Sequence, residues 1–313
     1  MSVNDCDVEP GVYPDMPMDE YHSSKAVSST GLRKVGRSID HYEAYLADDG
    51  GSSKAFRVGT AVHAAVLEPE LFQEQYIDSD PPVDVDDMYY RHRDTAKLLA
   101  DNSKPDEIAD EIGVKAETVK DYIKRDDVQK LRVHYINHPP GETPELSDDE
   151  LDTVKRCRDA VANHPVARNL IDAGDPETSH FWEDEDTGLM CRCRPDADLA
   201  NDGILVDLKT TRDARKRDFQ RSMANYGYHT QGAFYLDGSS AASGQVRHTF
   251  IFIAVETSEP YGVRIYRLGD EAVDRGRQQC RRNLQTLADY YNDELKWTGY
   301  EPGVTELSLP AWA

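Results

Sequence analysis

This 313-residue sequence has little of three things, and each scarcity excludes a class of protein. No apolar run is long enough to cross a bilayer, and the N-terminus lacks the basic-then-apolar layout of a secretory signal. A soluble, cytoplasmic protein with no membrane partner is expected. Cysteine is sparse: Cys6, Cys157, Cys191, Cys193 and Cys280 are odd in number and widely scattered, which argues against a disulfide framework. Cations are outnumbered, with 36 Lys and Arg against 59 Asp and Glu, a formal charge of −23. A surface that grips nucleic acid by general basicity is thereby excluded, so any such grip must be local. The acidity itself suits a high-salt cytoplasm, where carboxylate-rich surfaces keep proteins hydrated, or an acidic partner-binding face.

The length allows a sizeable core, as one large domain or two smaller ones. The stretch that says most runs from Arg194 to Thr211. Asn201-Asp202-Gly203 is a turn signal, because Asn and Gly tolerate positive φ. Leu189 to Leu199 reads as a strand ahead of it, and Ile204 to Thr210 as a strand after it. Side chains alternate along a strand, so Asp207 and Lys209 share one face while Val206 and Leu208 take the other. The first strand brings Asp196 to the same edge, where two carboxylates, one ammonium and the Leu208 carbonyl converge. Carboxylate and carbonyl oxygens are the ligands Mg²⁺ prefers, and a lysine beside the ion can hold a water or stabilise developing charge. The set suits hydrolysis of a phosphodiester. Asp-x-Lys alone is common, and a surface hairpin with alternating charges is the plain alternative.

The rest of the chain supplies the context. Residues 1–20, acidic and proline-bearing, read as a flexible lead-in. Ser28-Ser29-Thr30 offers a cap to a helix from Gly31 to about Leu46. Asp48 to Ser53 reads as a loop. A helix from about Val58 to Leu67 sets His63 among small and apolar neighbours, usually the place of a satisfied core histidine. A helical insert is expected at about 81–144, and within it Pro105 to Ile123 has helix-turn-helix spacing, with Gly113 at the turn and Val119 and Ile123 closing a small core. The second helix of that pair carries Lys115, Glu117, Thr118, Lys120 and Asp121, mixed in sign where a groove-reading helix is normally basic. Two packed helices without DNA contact are the competing reading. Glu142 to Ala173 reads as a helix pair capped by Ser147, and Thr178 to Glu183 as a strand whose Glu183 approaches the site without a metal role. The most basic stretch follows the Asp207 strand: Arg212, Arg215, Lys216, Arg217 and Arg221 stand against only Asp213 and Asp218. A long helix from about Phe219 to Leu236 places Gln231 and Tyr235 on one face. Arg247 to Glu256 and Val263 to Leu268 read as strands of the same sheet, the first deeply buried, before a helix from Asp270 to about Leu295.

Taken together these segments resemble the PD-(D/E)xK nuclease superfamily, with Pro195-Asp196 and Asp207-Leu208-Lys209 at the motif positions and Asp where many members have Glu. Gly59 to Pro69, with His63, looks like the upstream helix of RecE-type exonucleases. Gln231-Gly232-Ala233-Phe234-Tyr235 looks like the Gln-x-x-x-Tyr motif of the RecB and RecE branches, and Leu309 to Ala313 resembles the ends of RecE-like proteins, where Trp312 docks on the body. The resemblance covers most of the chain outside 81–144. It implies an α/β fold with a central mixed sheet flanked by helices, over residues 21–313. It also implies a metal-dependent exonuclease that resects duplex DNA ends from the 5′ side in recombination or phage-like DNA processing. Asp196, Asp207, the Leu208 carbonyl and His63 would hold one or two Mg²⁺ or Mn²⁺ ions, with imidazole more natural for Mn²⁺. Lys209 and Gln231 would position the attacking water, and Tyr235 would line the site. Arg194, Arg212, Arg215, Lys216, Arg217 and Arg221 are the candidate DNA contacts. A homo-oligomeric ring and a single-strand-annealing recombinase partner are further implications. Some RecB-like relatives carry an iron–sulfur cluster. Cys191-Arg192-Cys193 with Cys280 lacks a second close-spaced pair, and no cluster is expected. Two other functions stay open: a RecB-like or CRISPR-associated single-strand nuclease, and a non-catalytic DNA-binding protein acting through the helical insert.

Overall fold

The computed structural model describes residues 6–47, 54–77, 88, 90–100, 103–137, 146–295, 297–300 and 302–308. The expected loop at Asp48 to Ser53, the ends of the 81–144 segment and the docking of Trp312 lie outside the described residues. The chain divides into two compact units, one of residues 1–52 with 159–313 and one of residues 53–158. The second is wider than the insert expected from sequence, because the helices on either side of that stretch cluster with it.

The first unit opens with strand β1 (Gly11–Tyr13), helix α1 (Met18–Ser23), strand β2 (Val27–Ser28), and helices α2 (Ser29–Val35) and α3 (Ile39–Leu46). The expected lead-in is therefore structured over its second half, where β1 pairs with the strand Ser179–Glu183. The single helix expected over 31–46 is two. Ser28 caps α2, accepting from the Gly31 N–H at 3.1 Å, and Ser38 caps α3, accepting from the His41 N–H at 3.3 Å. A second capping serine restarts the helix after Gly36.

Helices α4 (Lys54–Leu67), α5 (Pro69–Phe72), α6 (Tyr90–Ala100), α7 (Pro105–Ile112), α8 (Ala116–Ile123) and α9 (Asp126–Asn137) follow in the second unit. Four of them share a core of their own: Ala96 and Leu99 from α6, Ile108 and Ala109 from α7, Val119 from α8, and Val128 and Leu131 from α9. Helix α10 (Asp148–Asn163) begins with the expected cap. Ser147 Oγ accepts from the Glu150 N–H at 3.3 Å, and Glu150 Oε2 accepts from the Ser147 N–H at 2.9 Å.

After α11 (Pro165–Ala173) the strands come in quick succession: β3 (Asp175–Pro176), β4 (Ser179–Glu183), β5 (Met190–Cys193), β6 (Ala197–Leu199) and β7 (Ile204–Thr211). Helices α12 (Lys216–Tyr226) and α13 (Tyr228–Ser243) lead to β8 (Thr249–Glu256), β9 (Val263–Arg267) and α14 (Asp270–Tyr291). They build two sheets, a four-stranded one in the order β1-β4-β5-β2 and a mixed five-stranded one in the order β3-β6-β7-β8-β9. The β7–β8 pair is parallel and its α12–α13 crossover covers the sheet, so both strands are buried at their centres.

Two expected elements are broken at identifiable residues. The strand expected over Leu189 to Leu199 stops at Cys193 and restarts at Ala197, and the chain passes from one sheet to the other through Arg194-Pro195-Asp196. Proline has no N–H to give to a ladder, so Pro195 suits the step between sheets. The helix expected over 219–236 breaks at Gly227, whose φ of 67° is left-handed. A side chain there would be strained, and the bend sets α13 on a new axis. Helix α13 packs on α14 over the main core, where Phe234, Leu236, Leu284 and Leu287 are all buried.

Candidate active site

The site forms where β6 begins beside β7. The β6–β7 register pairs Ala197 with Val206 and Leu199 with Ile204, so its continuation would set Pro195 opposite Leu208. Proline offers no N–H to the Leu208 carbonyl. The Leu208 N–H is instead taken by Oδ2 of Asp196. In a strand the N–H and C=O of one residue point to the same edge, so the Leu208 carbonyl also faces Asp196. Chain direction thus places a carboxylate and a backbone carbonyl side by side.

Asp207 lies on the buried face of β7 and is only 2% exposed. Its Oδ1 accepts from Nε2 of Gln231 at 2.7 Å, and its Oδ2 meets Nζ of Lys209 at 2.5 Å. Lys209 keeps 18% of its side chain exposed, and its ammonium stands 5.2 Å from the centre of the Tyr228 ring. Burial alone would lower the Lys209 pKa. The charges of Asp207 and Asp196 and the Asp207 hydrogen bond outweigh that and hold it above the ordinary lysine value. Beside these carboxylates Lys209 is held as a cation, suited to stabilising negative charge. Tyr235, one helical turn from Gln231, is buried with its ring edge-on to Phe250. Burial, then the charge of Tyr21, drives its hydroxyl far above the usual tyrosine pKa, while its hydrogen bond with Gln231 acts the other way.

Sequence reasoning missed Glu177. This residue sits between β3 and β4 with a left-handed φ of 47°, and its N–H donates to the Asp196 carbonyl at 3.4 Å. A carboxylate oxygen of Glu177 lies within 4.8 Å of one of Asp196. Nothing in the Glu177-Thr178 dipeptide signals this; the strained backbone is the structural sign, since non-glycine residues seldom hold that conformation without cause. Tyr228 was also not foreseen. Glu183, expected near the site, is exposed at the opposite end of β4, paired with Met190.

The other predicted residues have surroundings of their own. His63 lies half-buried on α4 in the second unit. Arg194 departs from its expected role as a DNA contact, because its guanidinium is buried. It donates to Ser179 Oγ at 2.7 Å and to the Met16 carbonyl at 2.6 Å, and it stacks over Tyr21 at 4.6 Å. Of the basic stretch, Arg215 is tied to Asp213 at 2.5 Å and Arg221 to Asp218 at 3.3 Å. Arg212, Lys216 and Arg217 are exposed and make no ion pair among the described residues. Cys191, Cys193 and Cys280 are buried thiols; burial, the largest influence, pushes Cys193 and Cys280 up to about 12.

Carboxylate oxygens of Asp196 and Glu177 lie within 4.8 Å of each other, the Leu208 carbonyl faces Asp196, and Asp207 precedes Leu208 on β7. All are oxygen donors of the kind a hard divalent cation such as Mg²⁺ or Mn²⁺ takes. A carboxylate at the break between two sheets, beside a strand that carries a second carboxylate and a lysine, fits a PD-(D/E)xK nuclease fold. The family described as "PDDEXK-like domain of unknown function (DUF3799)" matches residues 28–300, and the chain belongs to it. In structure the chain is similar to a protein from Eubacterium rectale described as a "Putative exonuclease", with a TM-score of 0.55 at 13% identity, covering 95% of this chain and 96% of that one. A fainter likeness, to the structure of SSO0001, has a TM-score of 0.25 at 13% identity over 71% of this chain and 84% of that one, too low to bear on the fold. No curated protein matches in sequence. Among the described residues no helix is long and apolar enough to cross a membrane.

Proposed function

We propose that this nuclease-fold protein is a metal-dependent exonuclease that hydrolyses phosphodiester bonds from the ends of duplex DNA, from the 5′ side. The observation that carries the reading is the anchoring of Asp207, held by Gln231 from one helix and by Lys209 from its own strand, beside Asp196 and the Leu208 carbonyl.

Asp196, Asp207 and the Leu208 carbonyl would hold a divalent cation, with Glu177 reaching it from the β3–β4 connection. His63 is proposed as a further ligand on the strength of the sequence resemblance. A bound divalent cation lowers the pKa of water and stabilises charge on a phosphate. Gln231 fixes the rotamer of Asp207 and keeps its second oxygen turned toward Lys209. Lys209 offers its N–H groups to the charge that grows on the phosphate oxygens. Arg212, Lys216 and Arg217, on the segment that leaves β7, supply local positive charge to the DNA backbone. A ring assembly and a recombinase partner follow from the resemblance to RecE-type enzymes.

End-labelled linear duplex and the same DNA as a closed circle, each with Mg²⁺, Mn²⁺ or EDTA, test the reading. Metal-dependent loss of the 5′ label with the circle spared is expected. Cleavage of the circle would make the enzyme an endonuclease, and attack on single strands alone would favour the RecB-like alternative. Binding without cleavage under all conditions would remove the enzymatic reading.

A further inference from the structure

We propose that the helix-turn-helix of α7 and α8 is a second DNA-binding site, which takes duplex DNA by placing α8 in a groove. This inference stands apart from the catalytic reading and rests on the second unit alone.

Geometry comes first. Helices α7 and α8 are each eight residues long and are joined by Gly113-Val114-Lys115. Gly113 is left-handed, with φ 67° and ψ 46°, and the Val114 N–H returns to the Ala109 carbonyl at 3.0 Å. This closure fixes a sharp turn that a side chain at 113 would strain. Val119 of α8 is wholly buried against the shared core, which locks the orientation of α8 on α6, α7 and α9. A groove-reading helix needs that rigidity, and at about 1.5 Å per residue α8 is about 12 Å long, on the scale of a major groove.

The outer face of α8 is then distinctive. Glu117, Lys120 and Asp121 are exposed, with Lys115 and Lys124 exposed at its two ends, and no apolar side chain is exposed among them. An apolar protein partner has nothing to bury here. Residues 90–137 hold ten Lys and Arg against ten Asp and Glu, a neutral island in a chain of charge −23. Within the island the charge is segregated. Helix α7 has four carboxylates and no cation, whereas residues 115–132 have six cations against four anions. Three of those four anions are already paired, Asp121 with Lys124 at 3.1 Å, Asp127 with Arg125 at 2.8 Å and Asp126 with Lys130 at 2.8 Å. Lys115 and Lys120 make no ion pair among the described residues. Two uncompensated ammonium groups therefore flank Glu117 on an otherwise solvated helix face. Lysine suits phosphates and the O6 and N7 acceptors of guanine, and a glutamate accepts from the N4 amino group of cytosine. A helix decorated with solvated charge only for solubility would be expected to share the acidic excess of the rest of the chain.

The test is fluorescence anisotropy on the full chain in EDTA, with a labelled random-sequence duplex and its single strand, over a range of KCl. Lys115→Glu with Lys120→Glu is expected to weaken duplex binding at least tenfold. The milder Lys115→Gln with Lys120→Gln pair should cut the slope of log affinity against log salt by about 1.8 for two lost phosphate contacts. Both pairs are exposed, so melting temperatures should match wild type. Selection from a randomised duplex pool should show Glu117→Ala relaxing a sequence preference while total binding changes little. Unchanged duplex affinity and salt slope in both lysine variants would overturn the proposal, as would a loss seen with the single strand only. Cleavage is read separately with Mg²⁺, so either reading can fail without the other.

Discussion

Gln231 and Asp207 meet at 2.7 Å across the space between helix α13 and strand β7, the amide nitrogen of one donating to Oδ1 of the other. They are 24 residues apart in sequence, and the left-handed break at Gly227 redirects the chain between them. The contact fixes one carboxylate oxygen and leaves the other to Lys209.

From this pair, Gln231→Ala is expected to lower metal affinity or turnover by about 10- to 100-fold, the usual cost of losing a group that orients a ligand. Asp207→Asn should abolish cleavage. Mn²⁺ calorimetry beside a cleavage assay would check both, and a Gln231→Ala enzyme with wild-type values on each would remove its positioning role.

Lys209→Ala should separate binding from catalysis. Its ammonium stands 2.5 Å from Asp207 Oδ2, where it competes with a cation for the carboxylate. Metal affinity should hold or rise, while turnover falls by about 10²- to 10³-fold, as for other preorganised charge stabilisers. Parallel titration and single-turnover kinetics would detect the split; loss of metal binding would contradict it.

A buried pair elsewhere in the first unit predicts the response to acid. Arg247 bonds both oxygens of Asp198, at 2.8 and 2.9 Å, and His180 Nε2 lies 3.4 Å from Oδ2. Burial alone would raise the Asp198 pKa, but His180 and Arg247 together hold it below the usual carboxylate value. A depressed folded pKa contributes stability that is complete above the unfolded value of about 3.9 and disappears as pH falls through the folded one. Arg247→Ala should cost about 3–5 kcal/mol at neutral pH, because it strands a buried carboxylate. Urea melts from pH 7 to pH 3 should show the difference from wild type shrinking toward the acid end.

Exposure separates the arginines of the basic stretch from Arg194. Changing Arg212, Lys216 and Arg217 together to Gln should weaken DNA binding and reduce the salt slope by up to about 2.7, with the melting temperature unchanged. Arg194→Gln should do the reverse, lowering the melting temperature while leaving the salt slope alone.

The charge of −23 bears on the solvent the protein is built for. Raising KCl from 0.1 to 1 M shortens the Debye length from about 10 Å to about 3 Å and relieves carboxylate repulsion. The melting temperature should rise over that range if the acidity reflects a saline cytoplasm. A fall would leave an acidic partner-binding face as its explanation.

Much of this was legible in the sequence because the informative features were local. Alternation along Ile204 to Thr210 put Asp207 and Lys209 on one face, and the turn signal at Asn201 to Gly203 overlaps the 3₁₀ turn Ala200–Asp202 and its left-handed cap Gly203. What was not legible depends on tertiary placement. No spacing rule brings Glu177 to Asp196 or Tyr228 to Lys209, since each pair is set by how separate elements fold back. Arg194 read as a surface cation because the Tyr21 ring and the Met16 carbonyl that engage it lie more than 170 residues upstream. The breaks at Gly36 and Gly227 were understated because a single glycine is tolerated in helices often enough to pass unremarked.

The step from β5 to β6 through Pro195 makes one amide hydrogen a reporter. The Leu208 N–H, where a neighbouring strand would otherwise accept it, is held by a carboxylate that is also a candidate metal ligand. Ladder protection at that position is therefore in the keeping of a side chain, and a cation drawing on Asp196 competes with the backbone for the same charge. Deuterium uptake at Leu208 should shift on addition of Mg²⁺ while the flanking amides of β7 stay slow, so a single exchange rate would reveal whether the centre is loaded without any DNA being cut.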